Sequence, residues 1–502
     1  MNPATQQFDL DRQSEVFFST RQTTDAVSRH AAQGRVRKLG PRLYTANLAD
    51  SEEAIVRRNV WRIAAGYFPG GVIVDRTALE MQPAAEDGSI FLAAQSTREV
   101  RLPGIRLRPR HGAGPLDGDL KWMGEDLFMA SRPRAYLENM RASRARGGPS
   151  RTLSRAELEE SLHSYARLDP GALNALRDQA RAVAENLGAE KELAQLGQLL
   201  SSLLGTGDGE MQTPIGRAWQ RQLPYDTHRV ELFETLHQAL LRQSLPRLAE
   251  SPNAGIATFA FFEAYFSNYI EGTEFTLEEA EEIVFEGRIP AQRPDDAHDI
   301  LGTYRLVSDQ RQRRRIPSSV EQLIEILKAQ HFVMLEKRPE IKPGEFKQRP
   351  NRAGGTQFVE PHLVAGTLAE GYRFYSTLNG GLPRAVFAHF LVSEVHPFAD
   401  GNGRMARILM NSELTAAGEQ RIIVPTVERY QYLNALRAMS HNARPEPLVK
   451  VTIALQKSIS GVDFSAREVA ERQLREANAF ADPSEAGGVV GAIEVAARQS
   501  PS

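Results

Sequence analysis

From residue 154 to about 250, apolar residues recur every three or four positions, as in AELEESLHSYARL and ALNALRDQARAVAENL. That spacing predicts amphipathic helices, with Ser154 placed to cap the first of them. The helical period continues from 255 to 460 with many more aromatics. Within that stretch PRAVFAHFLVSEV (383–395) is apolar on nearly every face, the mark of a helix buried at the centre of a bundle. Residues 20–110 read differently. Short apolar runs (GRVRKLGPRLYTANL, FPGGVIVDRTAL, GSIFLAAQ, VRLPGIRLR) alternate with Gly and Pro, and helical pieces such as EEAIVRRNVWRIAAGYF lie between them. Strands bounded by turn residues predict a small α+β domain there. ASRARGGPSRTLSR (142–155) has loop composition, TGDGEMQTPIG (206–216) interrupts the middle helices, and DPSEAGGVVGAIEVAARQSPS reads as a loosely held tail. The expected division is an N-terminal domain (1–115), a helical middle region (116–250), an aromatic-rich helical domain (251–460), and a C-terminal helix and tail (461–502). The fold class expected is mainly α.

Composition narrows the function classes. The 502 residues are 41% hydrophobic, 25% charged and 7% aromatic, near the globular average, which excludes a mainly disordered or fibrous chain. A formal charge of −2 supplies no global pull toward nucleic acid or membrane, so such a partner would need a local patch. The absence of cysteine removes disulfides, thiolate metal sites and thiol nucleophiles. No run approaches the length of a membrane-spanning helix, and the first twenty residues lack the basic start and apolar core of a signal peptide. The expectation is a soluble, cytoplasmic protein with no membrane partner.

One string carries chemistry: His396-Pro-Phe-Ala-Asp400-Gly-Asn-Gly-Arg404-Met-Ala-Arg407. It follows the buried helix, turns through Asp-Gly-Asn-Gly and opens a second helix, RMARILMNSELTAAG. Two glycines flanking an asparagine can take left-handed angles, so successive N–H groups can face one concavity suited to an anion. The helix beginning at Asn402 adds the positive end of its dipole. Arg404 and Arg407, three residues apart, share a helix face and can each fork onto phosphate oxygens. Met405, Ile408 and Leu409 take the other faces, and Phe398 anchors the loop. Asp400 at the mouth offers one carboxylate, which with phosphate oxygens is the usual recipe for Mg²⁺. His396 offers an imidazole placed to take a proton from a hydroxyl. Eight fixed positions, each met at about one in twenty, do not coincide by chance in one chain.

These residues resemble the signature of the Fic family, His-x-Phe-x-Asp/Glu-Gly-Asn-Gly-Arg-x-x-Arg, with every position filled, and the resemblance covers roughly residues 255–460. It implies a Fic-type helical bundle with a small β-hairpin flap, and transfer of AMP from ATP to a Ser, Thr or Tyr hydroxyl of a protein, the chain itself included. By that likeness His396 is the base, and Asp400 holds Mg²⁺ between the α- and β-phosphates. The amides of Gly401, Asn402 and Gly403, with Arg404, cradle those phosphates, and Arg407 holds the γ-phosphate. Upstream, Ser267-Asn-Tyr-Ile-Glu271-Gly272 ends an aromatic helix (FFEAYFSNYI) and looks like the family's inhibitory motif. The likeness implies that Glu271 pairs with Arg407 and takes the guanidinium the γ-phosphate needs. The matching flap is GEFKQRPNRAGGTQFVEP (344–361), with Gly354-Gly355 for its turn and Thr356, Gln357 and Phe358 as one arm, while Pro350 limits pairing on the other. Tyr432 falls where the family often has an aromatic beside the adenine; a core tyrosine on an amphipathic helix is the equal alternative. His389 and His362 read as structural or solvent-facing.

Residues 21–46 carry Arg21, Arg29, Arg35, Arg37, Lys38 and Arg42 against the single acidic Asp25. A short helix leading into a basic two-stranded wing looks like the winged-helix domain of AbiEi-type antitoxins, which implies DNA as a partner. The leading expectation is thus an autoinhibited, Mg²⁺-dependent protein adenylyltransferase using ATP. Two alternatives stay open: a DNA-binding regulator or antitoxin whose Fic domain senses nucleotide, and a Fic enzyme that uses another nucleotide or removes AMP.

Overall fold

The computed structural model describes residues 8–482 apart from 123, 144–147, 168, 170 and 251–254, so the expected tail beyond 482 and part of the 142–155 loop lie outside the described residues. The fold is mainly α and divides into two compact units, Met1–Gln222 and Leu223–Ser502. Among the described residues, no helix is long and apolar enough to cross a membrane.

The first unit opens with an α+β region. Helix α1 (Thr24–Ala32) leads into the hairpin of β2 (Arg37–Gly40) and β3 (Leu43–Thr45), and β1 (Val16–Phe18) pairs antiparallel with β3. Arg42 occupies the hairpin turn at φ 61. The order is a short helix followed by a two-stranded hairpin. Beyond it lies a six-stranded mixed sheet built from β4 (Gly71–Ile73), β5 (Ser89–Ala93), β6 (Val100–Leu102), β7 (Ile105–Arg110), β8 (Leu120–Lys121) and β9 (Leu127–Met129). The strand order is β6-β7-β5-β4-β9-β8. Strands β4 and β5 are buried at every position, as their unbroken apolar runs require of central strands. Because β9 pairs parallel with β4, the sheet runs past residue 115, where the sequence pattern suggested a boundary. Among the described residues five helices follow between Arg132 and Gln220, and the second starts on Ser154, whose side chain and Glu157 form a reciprocal capping box.

The second unit begins earlier than the aromatic-rich stretch. Helix α2 (Thr227–Arg242) belongs to it because Leu232, Phe233, Leu236 and Leu240 are buried in its core. The other helices that matter here are α3 (Ile256–Ile270), α4 (Pro294–Ser308), α5 (Val320–Met334), α6 (Val364–Thr377), α7 (Leu382–Val395), α8 (Asn402–Ala416), α9 (Arg429–Asn442) and α10 (Glu446–Ser460). Helix α7 is the centre, with Ala385 to Val392 buried without a break and α2, α6, α8 and α10 against it. Phe233 meets Phe387 and Phe390 edge-on at centroid distances of 6.1 and 6.0 Å. Each such side chain contributes about 1.5–3 kcal/mol through burial, so the central position of α7 fixes where its C-terminal end, and hence His396, must emerge. The hairpin of β10 (Arg352–Ala353) and β11 (Thr356–Gln357) turns at Gly354, φ +57, and keeps only two pairs.

Candidate active site

His396 is the C-cap of α7 in the left-handed region (φ 53), with its N–H on the Val392 carbonyl. Its Nδ1 lies 3.1 Å from the Ser393 carbonyl. A carbonyl only accepts, so Nδ1 carries the proton and Nε2 keeps the lone pair. The Phe358 ring stacks flat on the imidazole, 3.6 Å between centroids and 5° between planes. The histidine is nonetheless partly exposed. Burial of the ring, only partly offset by the Ser393 carbonyl, pushes its pKa down to about 4.

The following turn is held from within. Asn402 accepts from the Phe398 N–H (2.8 Å) and donates to the Phe398 carbonyl (2.9 Å), while Phe398 itself is fully buried. The Phe398 ring stacks on His331 at 3.8 Å, and His331 donates from Nε2 to the Asp400 carbonyl (3.1 Å). Of the two glycines flanking Asn402, only Gly401 takes a positive φ, of 74°. Gly403 is needed for another reason: a Cβ there would overlap Glu271 Oε1. The Gly401 amide is also engaged, donating 2.7 Å to Asp400 Oδ1.

Asp400 Oδ2 lies 3.0 Å from Arg338 Nη1 and 3.7 Å from Arg404 Nη2. Burial alone would raise its carboxyl, but Arg404, the Gly401 N–H and Arg338 together hold it below the ordinary value. Its side chain is 42% exposed and ionised. Among the described residues no group of three or more His, Asp or Glu side chains gathers to hold an ion unaided. A single carboxylate at the mouth of this turn would fit Mg²⁺ only as one ligand among waters and phosphate oxygens. Arg404 is buried and donates from Nη1 to Asn268 Oδ1 (3.0 Å) and Asp299 Oδ2 (2.7 Å). It braces the turn from behind as well as lining it.

Arg407 is the most heavily tied group. Its Nε donates to Ser267 Oγ (3.0 Å), and Nη2 donates to the Ser267 carbonyl (2.8 Å) and to Glu271 Oε1 (2.6 Å). Burial would weaken the guanidinium's hold on its proton, but Glu271 and Tyr432 outweigh it. Ser267 and Glu271 share the last turn of α3, and Gly272 stops the helix at φ 95. The pairing expected of Glu271 and Arg407 is thus present. Tyr432 is buried, 3% exposed, with its hydroxyl 2.5 Å from His389 Nε2 and beside Arg407. Tyr432 thus sits in the core, and His389 is buried rather than solvent-facing.

Several contributors went unread in the sequence: Asn268, Asp299, His331, Arg338 and Lys347. Lys347 donates its N–H to the Pro397 carbonyl (2.9 Å) and its buried Nζ to Asn351 Oδ1 (2.7 Å), and Asn351 donates to the Phe398 carbonyl (2.9 Å). Burial pushes the Lys347 amine down to about 7. This pair stitches the root of the flap to the histidine turn. Each of these residues lies more than forty positions from its partner in the turn, so no local motif announces it.

The two histidines His396 and His389 make a test. His396 is held near 4 and His389 near 3, both by burial. Each therefore contributes stability that is present above the ordinary histidine value of 6.5 and is lost as pH falls toward its own depressed value. Glu413, raised to about 7 by burial, acts in the opposite sense over the same range, so a bulk melting curve mixes the two. Ring NMR of histidine-labelled protein separates them. Both residues are expected to keep neutral-ring shifts down to about pH 5; protonation of either near 6.5 contradicts the packing described.

Residues 319–414 match the family model of the Fic/DOC family. A protein adenylyltransferase Fic of Drosophila persimilis is 28% identical over 228 residues, 41% of this chain and 43% of that one. The namesake of Drosophila erecta is 32% identical over 213 residues, 39% and 41% of the two chains. The match thus spans less than half the length of these curated relatives. A Fic-domain-containing signalling protein of Bacteroides thetaiotaomicron, of known crystal structure, aligns at 20% identity and a TM-score of 0.36, covering 48% of this chain and 97% of its own. The complete signature at 396–407 lies inside the segment that matches the Fic/DOC family.

Proposed function

We propose that the protein is an autoinhibited adenylyltransferase that moves AMP from ATP to a hydroxyl of a protein side chain. The observation that carries the reading is the pairing of a histidine whose Nε2 is kept free by a fixed Nδ1–H with an arginine already occupied by an internal carboxylate. In this reading the target hydroxyl oxygen attacks the α-phosphorus of ATP. The bond to the bridging oxygen of the β-phosphate breaks, pyrophosphate leaves, and Nε2 of His396 takes the hydroxyl proton. Asp400 would hold Mg²⁺, which when bound neutralises phosphate charge. The amides of Asn402 and Gly403 at the start of α8, with the helix dipole, receive phosphate oxygens, joined by Gly401 and Arg404 as their present partners release them. Arg407 takes the γ-phosphate once Glu271 withdraws. The flap, rooted on Lys347 and Asn351, lays the target segment beside His396. Incubation with Mg²⁺ and ATP labelled in turn at the α- and γ-phosphates tests this: protein label from the α-position only supports AMP transfer, and label from the γ-position refutes it.

One observation favours a second activity in the first unit. Arg21, Arg29, Arg35, Lys38 and Arg42 are all exposed on and around α1 and the β2–β3 hairpin. That arrangement suits contact with the phosphates of duplex DNA. The full-length chain is expected to retard a DNA duplex at low salt and release it as salt rises; no retardation at low salt rules this out.

A further inference from the structure

Glu271 is one of several groups that hold Arg407, and the others do not leave with it. The Ser267 hydroxyl and carbonyl fix one edge of the guanidinium. The Tyr432 hydroxyl also interacts with it. A guanidinium can only donate, so toward Arg407 the tyrosine oxygen must be an acceptor. That leaves its single O–H to point elsewhere, and His389 Nε2 is 2.5 Å away. His389 is 1% exposed in the middle of α7, and burial together with the charge of Arg407 keeps its ring neutral. A neutral ring can offer Nε2 as an acceptor. The available directions then run in series: toward Arg407 the tyrosine oxygen can only accept, and toward His389 the tyrosine donates.

We propose that Tyr432 and His389 are positioning residues, a buried acceptor relay that keeps Arg407 aimed at the terminal phosphate after Glu271 has withdrawn, and that this relay sets the preference for ATP over ADP. The inference rests on the reading of Arg407 as the γ-phosphate ligand. Glu271 sits at the exposed end of α3, its side chain 30% accessible, whereas the relay belongs to α7 and α9 and is closed to solvent. Release of the brake therefore removes one partner of Arg407 and leaves the others in register. Without the relay, a freed Arg407 regains rotamers and loses an oriented acceptor, which weakens a contact made to the third phosphate and to no other.

The test is the affinity of the full chain for Mg–ATP and for Mg–ADP, measured by calorimetry in a Glu271→Gly, His396→Ala parent that cannot turn over. The parent is expected to bind ATP at least about tenfold more tightly than ADP, the worth of a charge-assisted contact to the extra phosphate. Adding Tyr432→Phe or His389→Leu is expected to bring that ratio to within about threefold by weakening ATP alone, while His389→Gln, which keeps an acceptor, retains it. Tyr432→Phe preserves the packed ring, so the test survives if His389→Leu does not fold. A ratio unchanged from the parent in Tyr432→Phe, or ATP and ADP weakened equally, overturns the relay. A parent with no preference for ATP overturns the Arg407 reading itself, and the relay falls with it.

Discussion

Replacing Glu271 with glycine is expected to raise the transfer of label from α-³²P-ATP to protein by about one to two orders of magnitude. The estimate comes from the contact removed. Arg407 gives Glu271 a hydrogen bond of 2.6 Å, with the arginine side chain 6% exposed and the carboxylate 30%. A charge-assisted bond in that setting is worth about 1.5–3 kcal/mol, and ATP must displace it before its γ-phosphate can reach the guanidinium. The variant no longer requires that displacement. The same change leaves a buried arginine short of its counter-charge, so the nucleotide-free variant should melt lower than wild type and recover when ATP is added. Glycine at the C-cap of α3 adds little cost of its own, because the helix already stops at Gly272. Unchanged labelling, with nucleotide binding intact, would mean that the Glu271–Arg407 pair is a structural tie and that any brake lies elsewhere.

Replacing His396 with alanine in the Glu271→Gly background is expected to lower that label by about 10²–10⁴-fold, the usual worth of a positioned general base. The imidazole touches no group that holds the nucleotide turn: its Nδ1 bonds the Ser393 carbonyl and its face meets Phe358. Loss of the ring should therefore spare ATP binding, seen as an unchanged thermal shift on adding Mg–ATP. A loss of binding equal to the loss of label would move His396 from proton transfer to architecture. Retained labelling in the alanine variant would exclude it as the base.

The two predictions rest on features that were unequally visible in the chain. The turn and its eight fixed positions are local: His396, Asp400, Gly401 and the two arginines act at short range, and their spacing alone places them at the junction of two helices. The α7 helix was legible for the same reason, since an all-round apolar segment has nowhere to go but the centre of a bundle. Ser154 and Gly272 were legible because caps and stops are local chemistry. Of the two glycines expected to take left-handed angles only Gly401 does so, and it gives its N–H to Asp400, while Gly403 serves close approach to Glu271. The edges of the units were less legible still. Strand β9 joins the N-terminal sheet by pairing with β4, and α2 joins the helical core through the face that carries Leu232 and Phe233.

By itself, then, the sequence determined which groups this protein brings to the candidate site: the histidine, the glycine-rich turn and the carboxylate were readable because they lie a few positions apart, whereas the glutamate was read only through the resemblance of its motif, since it lies 136 positions from Arg407. Tertiary structure alone decided how those groups are tuned. It set Asp299 and Arg338 around the turn, seated Lys347 and Asn351 beneath the flap, folded Tyr432 inward to His389 and Arg407, and drove His396 and His389 down to about 4 and about 3. Burial and charge act through space between segments brought together by packing, and a dielectric surrounding has no spacing along the chain by which it could be read.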